Sequence, residues 1–291
     1  MKLKEIYTQK DIKHNGIFEW VKPKISFEIF PPVNNTQELY TELEILKKYN
    51  PEFVSLTCGA AGKNNDSFDI LKTLKNNYEL NLMPHFTCIC NSKENVAKNL
   101  EIIESLGIEN ILALRGDEPE DTERHYFDFH HANELVEFIK SRTNLSIGVA
   151  GYPEGHIDST DIYSDIENLK KKVDAGADAI FTQLFFNNDK FFSYVQLVRD
   201  AGIEVPIIAG IMPILSYKQI NKMTHLANIS IPNTLQEKIE QFKDNPADMK
   251  EFGIDFASYQ CQQLIDAEVT GLHFFTLNKS YSTSQILDNI L

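Results

Sequence analysis

The feature that most constrains this fold is an eightfold alternation of short apolar segments with amphipathic ones. The apolar segments are rich in β-branched and aromatic residues and are mostly continuous in hydrophobicity, which is typical of strands buried on both faces of a parallel sheet. The predicted strands cover residues 24–30, 52–57, 81–87, 110–115, 145–151, 178–184, 205–210 and 269–275. Eight β-then-α units in 291 residues predict a (β/α)8 TIM barrel.

The segments between these strands carry apolar residues at helical spacing, as Leu39, Leu43 and Leu46 do. Residues 1–20 form an N-terminal extension with a helix, and the more polar stretch 228–266 predicts a helical insertion between strands seven and eight. The whole chain, 1–291, is therefore expected to be a single domain. The alternative is an open doubly wound sheet, but the first strand-to-helix turn lacks the glycine fingerprint of a dinucleotide-binding fold.

Composition excludes several classes of function. The net charge is −14 and the pI is about 5.0, so the chain offers no electrostatic footprint for nucleic acid or an anionic membrane. No apolar stretch is long enough to span a bilayer, and the first five residues lack the apolar core of a signal peptide. Cys88 and Cys90 have no second nearby cysteine pair, so no metal site is predicted. A cytoplasmic protein acting on small molecules is expected.

Glu28 is the most unusual residue of the first strand. It lies in an apolar run that ends at the proline pair Pro31 and Pro32, and strand alternation places it on one face with Ser26 and Phe30. A carboxyl group among apolar side chains is expected to have a raised pKa and to donate a proton near neutral pH. The alternative is an edge-strand glutamate that faces water.

Further polar residues follow the other predicted strands, at the end where TIM barrels hold their active sites. Arg115 offers forked donors that suit a phosphate, and Gly116 lets the backbone approach a ligand. Each of these residues also has an ordinary structural role open to it, such as a loop cap, a core histidine or a surface turn. The set comprises Thr57, His85, Thr87, Arg115, Gly116, Asp117, Tyr152, His156, Gln183, His273, Thr276 and Lys279.

The helix predicted after strand five has a second, polar face. Asp165, Asn168 and Lys172 are spaced i, i+3 and i+7, so they lie on one side of the helix. A carboxylate, an amide and an ammonium group in this arrangement suit a ribose hydroxyl and a phosphate. A solvated helix face is the alternative.

Over nearly its whole length the chain resembles the methylenetetrahydrofolate reductase family in its short bacterial form. No single motif is sufficient, but together they are specific. They are FEIFPP (27–32), SLTCGA (55–60), PHFTC (84–88), LRGD (114–117), GYPEGH (151–156), TQLFF (182–186), GIMP (210–213) and LHFFTLN (272–278).

This resemblance implies a barrel enzyme that binds FAD without a covalent link. Such an enzyme uses NADH to reduce 5,10-methylenetetrahydrofolate to 5-methyltetrahydrofolate, which feeds methionine synthesis, and its two substrates take turns at the flavin. The resemblance also implies a homodimer or homotetramer. Because the chain ends soon after the eighth strand, no S-adenosylmethionine-binding domain and no inhibition by that compound are expected.

The resemblance also implies roles for individual residues. Glu28 would be the general acid that opens the folate imidazolidine ring, and Asp117 would lie near the flavin and the folate. Gln183 would contact the substrate, Tyr217 would stack on folate or nicotinamide, and Lys279 would attract the folate glutamate tail. The positions that match FAD contacts are Thr57, His85, Leu114, Arg115, Gly116, Asp117, His131, Ala132, Ala150, Tyr152, His156, Asp165, Asn168, Lys171 and Lys172.

Three positions depart from the family's commonest pattern: Cys58 replaces tyrosine, Tyr217 replaces phenylalanine and Lys279 replaces arginine. The last two keep aromatic and positive character, so they bear on affinity more than on reaction type. The competing hypotheses are a flavin-free folate-dependent methyltransferase, an aldolase, and a non-catalytic pterin- or flavin-binding module. Strands six and seven contain no lysine for a Schiff base, and a binding module would not need a buried acid at Glu28.

Overall fold

The strands close into a complete parallel barrel. The computed structural model describes residues 1–8, 23–32, 35–57, 65–116 and 128–291. Neighbouring strands pair in chain order and β8 pairs with β1, which confirms the predicted (β/α)8 barrel. The strands are β1 Lys24–Ile29, β2 Phe53–Leu56, β3 Leu82–Thr87, β4 Asn110–Leu114, β5 Ser146–Gly151, β6 Ala179–Thr182, β7 Ile207–Ile211 and β8 Gly271–Phe275.

Helices cover the outside of the barrel, and side-chain caps fix where several of them begin. Asp161 and Ser92 cap the helices Ile162–Asp174 and Lys93–Ser105. Each side chain accepts a hydrogen bond from a backbone N–H group of the first turn, and this N–H group has no partner within the helix. The helices are α1 Leu3–Thr8, α2 Thr36–Lys47, α3 Asn65–Tyr78, α4 Lys93–Ser105, α5 Ala132–Arg142, α6 Ile162–Asp174, α7 Asn188–Asp200, α8 Tyr217–Ala227, α9 Asn233–Phe242, α10 Pro246–Asp266 and α11 Ser280–Ile290. None of these described helices combines the length and the apolar character needed to cross a membrane.

Strand alternation divides the apolar side chains into two layers. Phe27 and Ile29 point outward into the large core between the strands and the helices. Phe53, Met83 and Phe181 belong to a smaller cluster that includes the first helix. The odd and even positions of β1 therefore serve different layers, as a barrel requires, and Glu28 lies on the inner face with Ser26.

Helix α1 closes the amino-terminal end of the barrel. Leu3 and Ile6 are fully buried in the smaller cluster. The backbone N–H of Leu3 donates to Asn110 Oδ1 at 2.8 Å, and the side-chain amides of Asn110 and Asn81 donate to the Met1 carbonyl oxygen at 2.9 and 3.0 Å. Because Asn110 begins β4 and Asn81 precedes β3, these bonds fasten the helix to the barrel floor.

Helix α1 is expected to contribute to stability, and Ile6→Ala tests this contribution. Truncation of this buried side chain is expected to lower the free energy of unfolding by about 2–5 kcal/mol, because a cavity remains at the barrel floor. Urea denaturation followed by circular dichroism measures the change. Leu226→Ala on α8, where the side chain is largely exposed, is the control and is expected to change stability by less than about 0.5 kcal/mol. Equal effects of the two substitutions would show that α1 is not part of the cooperative core.

Three helices, α8 to α10, lie between β7 and β8 in the chain, and they pack in different parts of the fold. Helix α10 packs against α7 and α11, and its Ala257, Cys261 and Leu264 enter the large core. Helices α8 and α9 instead share a separate apolar cluster at the carboxyl end of the barrel, built around Ile220 and Ile239. The segment 228–266 thus supplies both a helix of the outer ring and a cover over the strand ends.

Candidate active site

A cavity of about 690 Å³ opens at the carboxyl ends of β2 to β5, and the first turn of α5, the loop after β5 and one face of α6 border it. Its walls contain every position that the family resemblance assigns to FAD contacts, apart from Asp117, which lies outside the described residues. The lining residues are Thr57, His85, Thr87, Ala113, Leu114, Arg115, Gly116, His131, Ala132, Asn133, Ala150, Tyr152, His156, Asp158, Ser159, Asp165, Asn168, Lys171 and Lys172.

Arg115 crosses the mouth of this cavity. Its guanidinium group lies 3.0 Å from Asp158 Oδ2, so an ion pair connects the loops after β4 and β5. His156 Nδ1 accepts the backbone N–H of Asp158 at 3.1 Å, and the His156 ring packs edge-on against Tyr152 with ring centres 4.6 Å apart. The arginine is therefore held at the cavity by an ion pair with a second residue of its wall.

Gly116 is needed for the shape of the wall. Its φ of +86° lies in the left-handed region, which favours glycine. A Cβ at this position would lie 2.9 Å from Ile89 Cγ2 and 3.0 Å from Thr87 Cβ. Any side chain here would crowd β3 and move the backbone that borders the cavity.

The polar face of α6 forms part of the cavity wall. It contributes Asp165, Asn168 and Lys172, whose spacing predicted that they share one face of the helix. Lys172 Nζ donates to the carbonyl oxygen of Ala150 at 2.6 Å, and burial lowers the pKa of Lys172 to about 8 although the nearby Asp165 opposes this shift. Burial raises the pKa of Asp165, which Lys172 partly offsets, and Asp165 accepts a hydrogen bond from Ser159 at 3.3 Å. The buried lysine therefore loses its charge at a pH within experimental reach.

Glu28 lies inside the barrel beside the cavity. Its Oε2 is 3.4 Å from Nε2 of His85, a cavity-lining residue, and 3.9 Å from Nε2 of His273, and its side chain keeps 21% of its exposure. Because β1 pairs with both β2 and β8, the alternative of an edge-strand glutamate is wrong.

The prediction of a raised pKa for Glu28 is also wrong. Burial does raise the pKa, but His85 and His273 favour the carboxylate more strongly, so the pKa lies below its ordinary value. Burial in turn lowers the pKa of His85, with Glu28 opposing. The two histidines come from β3 and β8, so this environment depends on how the strands pair and not on the local sequence.

The three substrate-contact candidates lie on the other half of the barrel, outside the cavity wall that the described residues form. Gln183 follows β6, and its Oε1 accepts the backbone N–H of Leu184 at 2.9 Å. Tyr217 begins α8 and donates its hydroxyl to Glu240 at 2.7 Å. Lys279 follows β8 and forms ion pairs with Glu38 and Glu42 on α2.

Comparison with known proteins places the chain in a family. A family model described as methylenetetrahydrofolate reductase matches residues 13–291. The chain belongs to the methylenetetrahydrofolate reductase family. It is 37% identical over 295 residues to methylenetetrahydrofolate reductase (NADH) 1 of Arabidopsis thaliana, covering 96% of this chain and 50% of that protein. The match to methylenetetrahydrofolate reductase 1 of Schizosaccharomyces pombe covers 46% of that protein, so the chain spans about half the length of these relatives.

A bacterial reductase of this family matches over most of both chains. The 5,10-methylenetetrahydrofolate reductase of Pectobacterium carotovorum is 33% identical over 259 residues, covering 88% of this chain and 86% of that protein. Among solved structures, an uncharacterized protein from Clostridium thermocellum that binds two copies of 5-methyl-5,6,7,8-tetrahydrofolic acid superimposes with a TM-score of 0.61. It covers 93% of this chain at 13% identity, so this likeness shows the shared fold alone.

The cavity-lining residues of this reductase-family chain that the sequence analysis did not name as candidates include Asn133, Asp158 and Ser159. Asn133 follows Ala132 at the start of α5, and the other two lie in the loop that contains His156. Their closeness to predicted residues was the available signal. Asp117 and Cys58, both named in that analysis, lie outside the described residues.

Proposed function

We propose that this protein is an FAD-dependent reductase that converts 5,10-methylenetetrahydrofolate to 5-methyltetrahydrofolate with electrons from NADH. One observation carries the proposal: the cavity built from the family's cofactor positions borders His85, which lies 3.4 Å from the candidate acid Glu28. The candidate cofactor site and the candidate proton donor therefore lie side by side in a barrel of this family, which supports the proposal. The choice of NADH as the electron donor follows the family resemblance, and the name of the Arabidopsis relative includes NADH.

The chemistry of the cavity fits FAD. Its volume lies within the range of about 300–1,000 Å³ that is common for cofactor sites. Arg115, Lys171 and Lys172 would hold the diphosphate, and Asp165 and Asn168 would hold hydroxyl groups of the cofactor. Bound there, FAD supplies reversible acceptance and donation of hydride, which no amino-acid side chain provides.

Glu28 would supply the proton for ring opening. In the free protein its pKa is depressed, since the two histidines outweigh burial. A folate ring lying over Glu28 would remove the remaining 21% exposure of its side chain and so strengthen the desolvation that favours the protonated form. Substrate binding would thereby convert the resting carboxylate into a proton donor.

The remaining substrate contacts would come from the loops after β4, β6, β7 and β8. Asp117 and Gln183 would face the folate, and Tyr217 would stack on folate or nicotinamide. Lys279 would attract the glutamate tail, which must compete with Glu38 for its ammonium group. We further propose a cytoplasmic homodimer or homotetramer whose product supplies methionine synthesis.

The visible absorbance spectrum of the purified protein tests this function. We expect a flavin spectrum that bleaches when NADH is added without oxygen and returns when 5,10-methylenetetrahydrofolate follows, with 5-methyltetrahydrofolate as product. A protein that stays colourless after incubation with FAD would contradict the proposal and favour a flavin-free barrel enzyme. A flavin that NADH bleaches but folate does not restore would contradict the assigned acceptor.

A further inference from the structure

The barrel interior holds a polar group of side chains that extends beyond the candidate acid. This interior cluster consists of Ser26, Glu28, Ser55, His85 and His273. His273 is 1% exposed and the two serines are fully buried, so the cluster is closed to bulk water on the side away from the cavity. Burying polar side chains this deeply is unfavourable unless they form hydrogen bonds, and here the partners are other members of the cluster.

The strand register assembles this cluster. Pairing of β1 with β8 sets Ser26 opposite His273, and pairing of β1 with β2 sets Glu28 opposite Ser55. Ser26 Oγ lies 2.8 Å from Nδ1 of His273, while Nε2 of the same ring lies 3.4 Å from Ser55 Oγ and 3.9 Å from Glu28 Oε2. One imidazole therefore contacts Ser26 through one nitrogen and faces Glu28 with the other.

The partners of the two nitrogens determine where the ring hydrogen lies. Nε2 lies 3.4 Å from Ser55 Oγ and faces the Glu28 carboxylate at 3.9 Å, beyond hydrogen-bond distance, and the negative charge it faces favours a hydrogen on this nitrogen. In the neutral ring Nδ1 is then an acceptor, and the hydroxyl of Ser26 donates to it. Phe53 stacks on the ring at 5.9 Å, and Phe181 packs edge-on at 5.4 Å, so the ring has little freedom to turn.

We propose that Ser26 and His273 form a positioning pair for Glu28, in which the Ser26 hydroxyl fixes the imidazole and the imidazole Nε2–H, which faces Glu28 Oε2 at 3.9 Å, stabilises the Glu28 carboxylate electrostatically. This inference rests on the proposed function, in which Glu28 gives its proton to the folate. Once that proton has left, the Nε2–H dipole that faces Glu28 stabilises the resulting carboxylate. The His273 residue is 1% exposed whereas the Glu28 side chain keeps 21% of its exposure, so we expect His273 to act on a ligand through Glu28.

The charges around His273 are few, which makes the expected pH effect simple. Within the part of the chain that the structure describes, the titratable groups that face it are Glu28 from β1 and His85 from β3. Ser26 and Ser55 are neutral, and Tyr7 of α1 lies behind Ser26. Removing the imidazole takes away a polar N–H that faces the carboxylate, so Glu28 is expected to hold its proton to higher pH.

His273→Phe and His273→Gln test the pair. Phenylalanine matches the aromatic surroundings but removes the donor, whereas the amide of glutamine keeps a donor near Nε2. With His273→Phe we expect flavin reduction by NADH to stay within about twofold, and the folate step to slow by about tenfold or more because the acid is no longer held in place. The apparent pKa of the folate step is expected to rise by about one unit, and His273→Gln is expected to restore most of both changes.

Ser26→Ala provides a second variant that removes only one hydroxyl group. It is expected to shift the pH profile of the folate step in the same direction by a smaller amount. A folded His273→Phe protein with an unshifted pH profile would overturn the proposal, as would an equal loss of rate in both half-reactions. If His273→Phe does not fold, the profile of Ser26→Ala decides the matter, and an unshifted profile overturns the pair.

A test that needs no activity separates this inference from the proposed function. Nitrogen-15 NMR of the histidine side chains, assigned with His273→Gln, is expected to show Nε2–H and a bare Nδ1 at His273 in the wild type. This state is expected to be lost in Ser26→Ala. The same state in both proteins would overturn the pair even if the wild type reduces folate. Its loss in Ser26→Ala supports the pair even if no folate reduction is found.

Discussion

Replacing Glu28 with glutamine is expected to abolish reduction of 5,10-methylenetetrahydrofolate while reduction of the flavin by NADH continues. The amide has nearly the shape of the carboxyl group and keeps its place between His85 and His273, but it has no proton to give to the folate nitrogen. Loss of a positioned general acid costs about 10²–10⁴-fold in rate. The nicotinamide step transfers hydride alone and needs no such acid. Anaerobic rapid mixing that follows the flavin absorbance measures the two half-reactions separately.

Glu94→Gln is a matched control for this substitution. Glu94 is exposed on α4 and pairs with Lys98, so the same chemical change there is expected to leave both half-reactions unchanged. Glu28→Gln protein that reduces folate at the wild-type rate would show that Glu28 is not the acid. A substitution that slows both half-reactions equally would instead indicate damage to the flavin site.

The alternation of apolar segments predicted the architecture because each strand of this barrel carries its own signal. Strands buried on both faces are continuous in hydrophobicity, and the helices between them repeat with a different period. Boundaries were less certain, as at β6, which was predicted over residues 178–184 and spans Ala179–Thr182. The packing of α10 in the outer ring was not predicted, because it depends on contacts with α7 and α11 that the sequence does not encode locally.

Some features of the candidate site could likewise be predicted from the sequence, and others could not. Cavity-lining positions such as Arg115 and Asp165 were predictable because the first follows a strand and the second lies at helical spacing, whereas His131, Ala132 and Lys171 came from the family resemblance alone. The direction of the Glu28 pKa shift was not, since the apolar neighbours in sequence argue for a rise while His85 and His273 reverse it. His273 reaches Glu28 by pairing of β8 with β1, and His85 reaches it from β3, which pairs with β2 beside β1. Electrostatics at this site is therefore a property of the barrel register.

Affinity for FAD is expected to fall as the pH rises above about 8, and Lys172 is the group responsible. Burial lowers the pKa of Lys172 to about 8 in the free protein, and the group lines the cavity beside Ala150. A bound diphosphate favours the charged ammonium, so its pKa is higher in the complex than in the free protein. Below pH 8 the charge is already present and affinity is constant. Above pH 8 binding must take up a proton, which weakens affinity by up to about tenfold per pH unit.

Lys172→Met is expected to remove this pH dependence and to weaken FAD binding at pH 7 by about 10–100-fold, since a hydrogen bond to a charged group contributes about 1.5–3 kcal/mol. Titration of the apoprotein with FAD, followed by quenching of flavin fluorescence between pH 6.5 and 9.5, measures both effects. Lys171→Met is the matched control. Lys171 is exposed and bonded to Asn168, so its loss is expected to weaken binding less and to leave the pH dependence in place. Wild-type affinity that does not change across this range would show that the ammonium of Lys172 does not contact the bound anion. A dependence that survives in Lys172→Met would assign it to another group of the cavity.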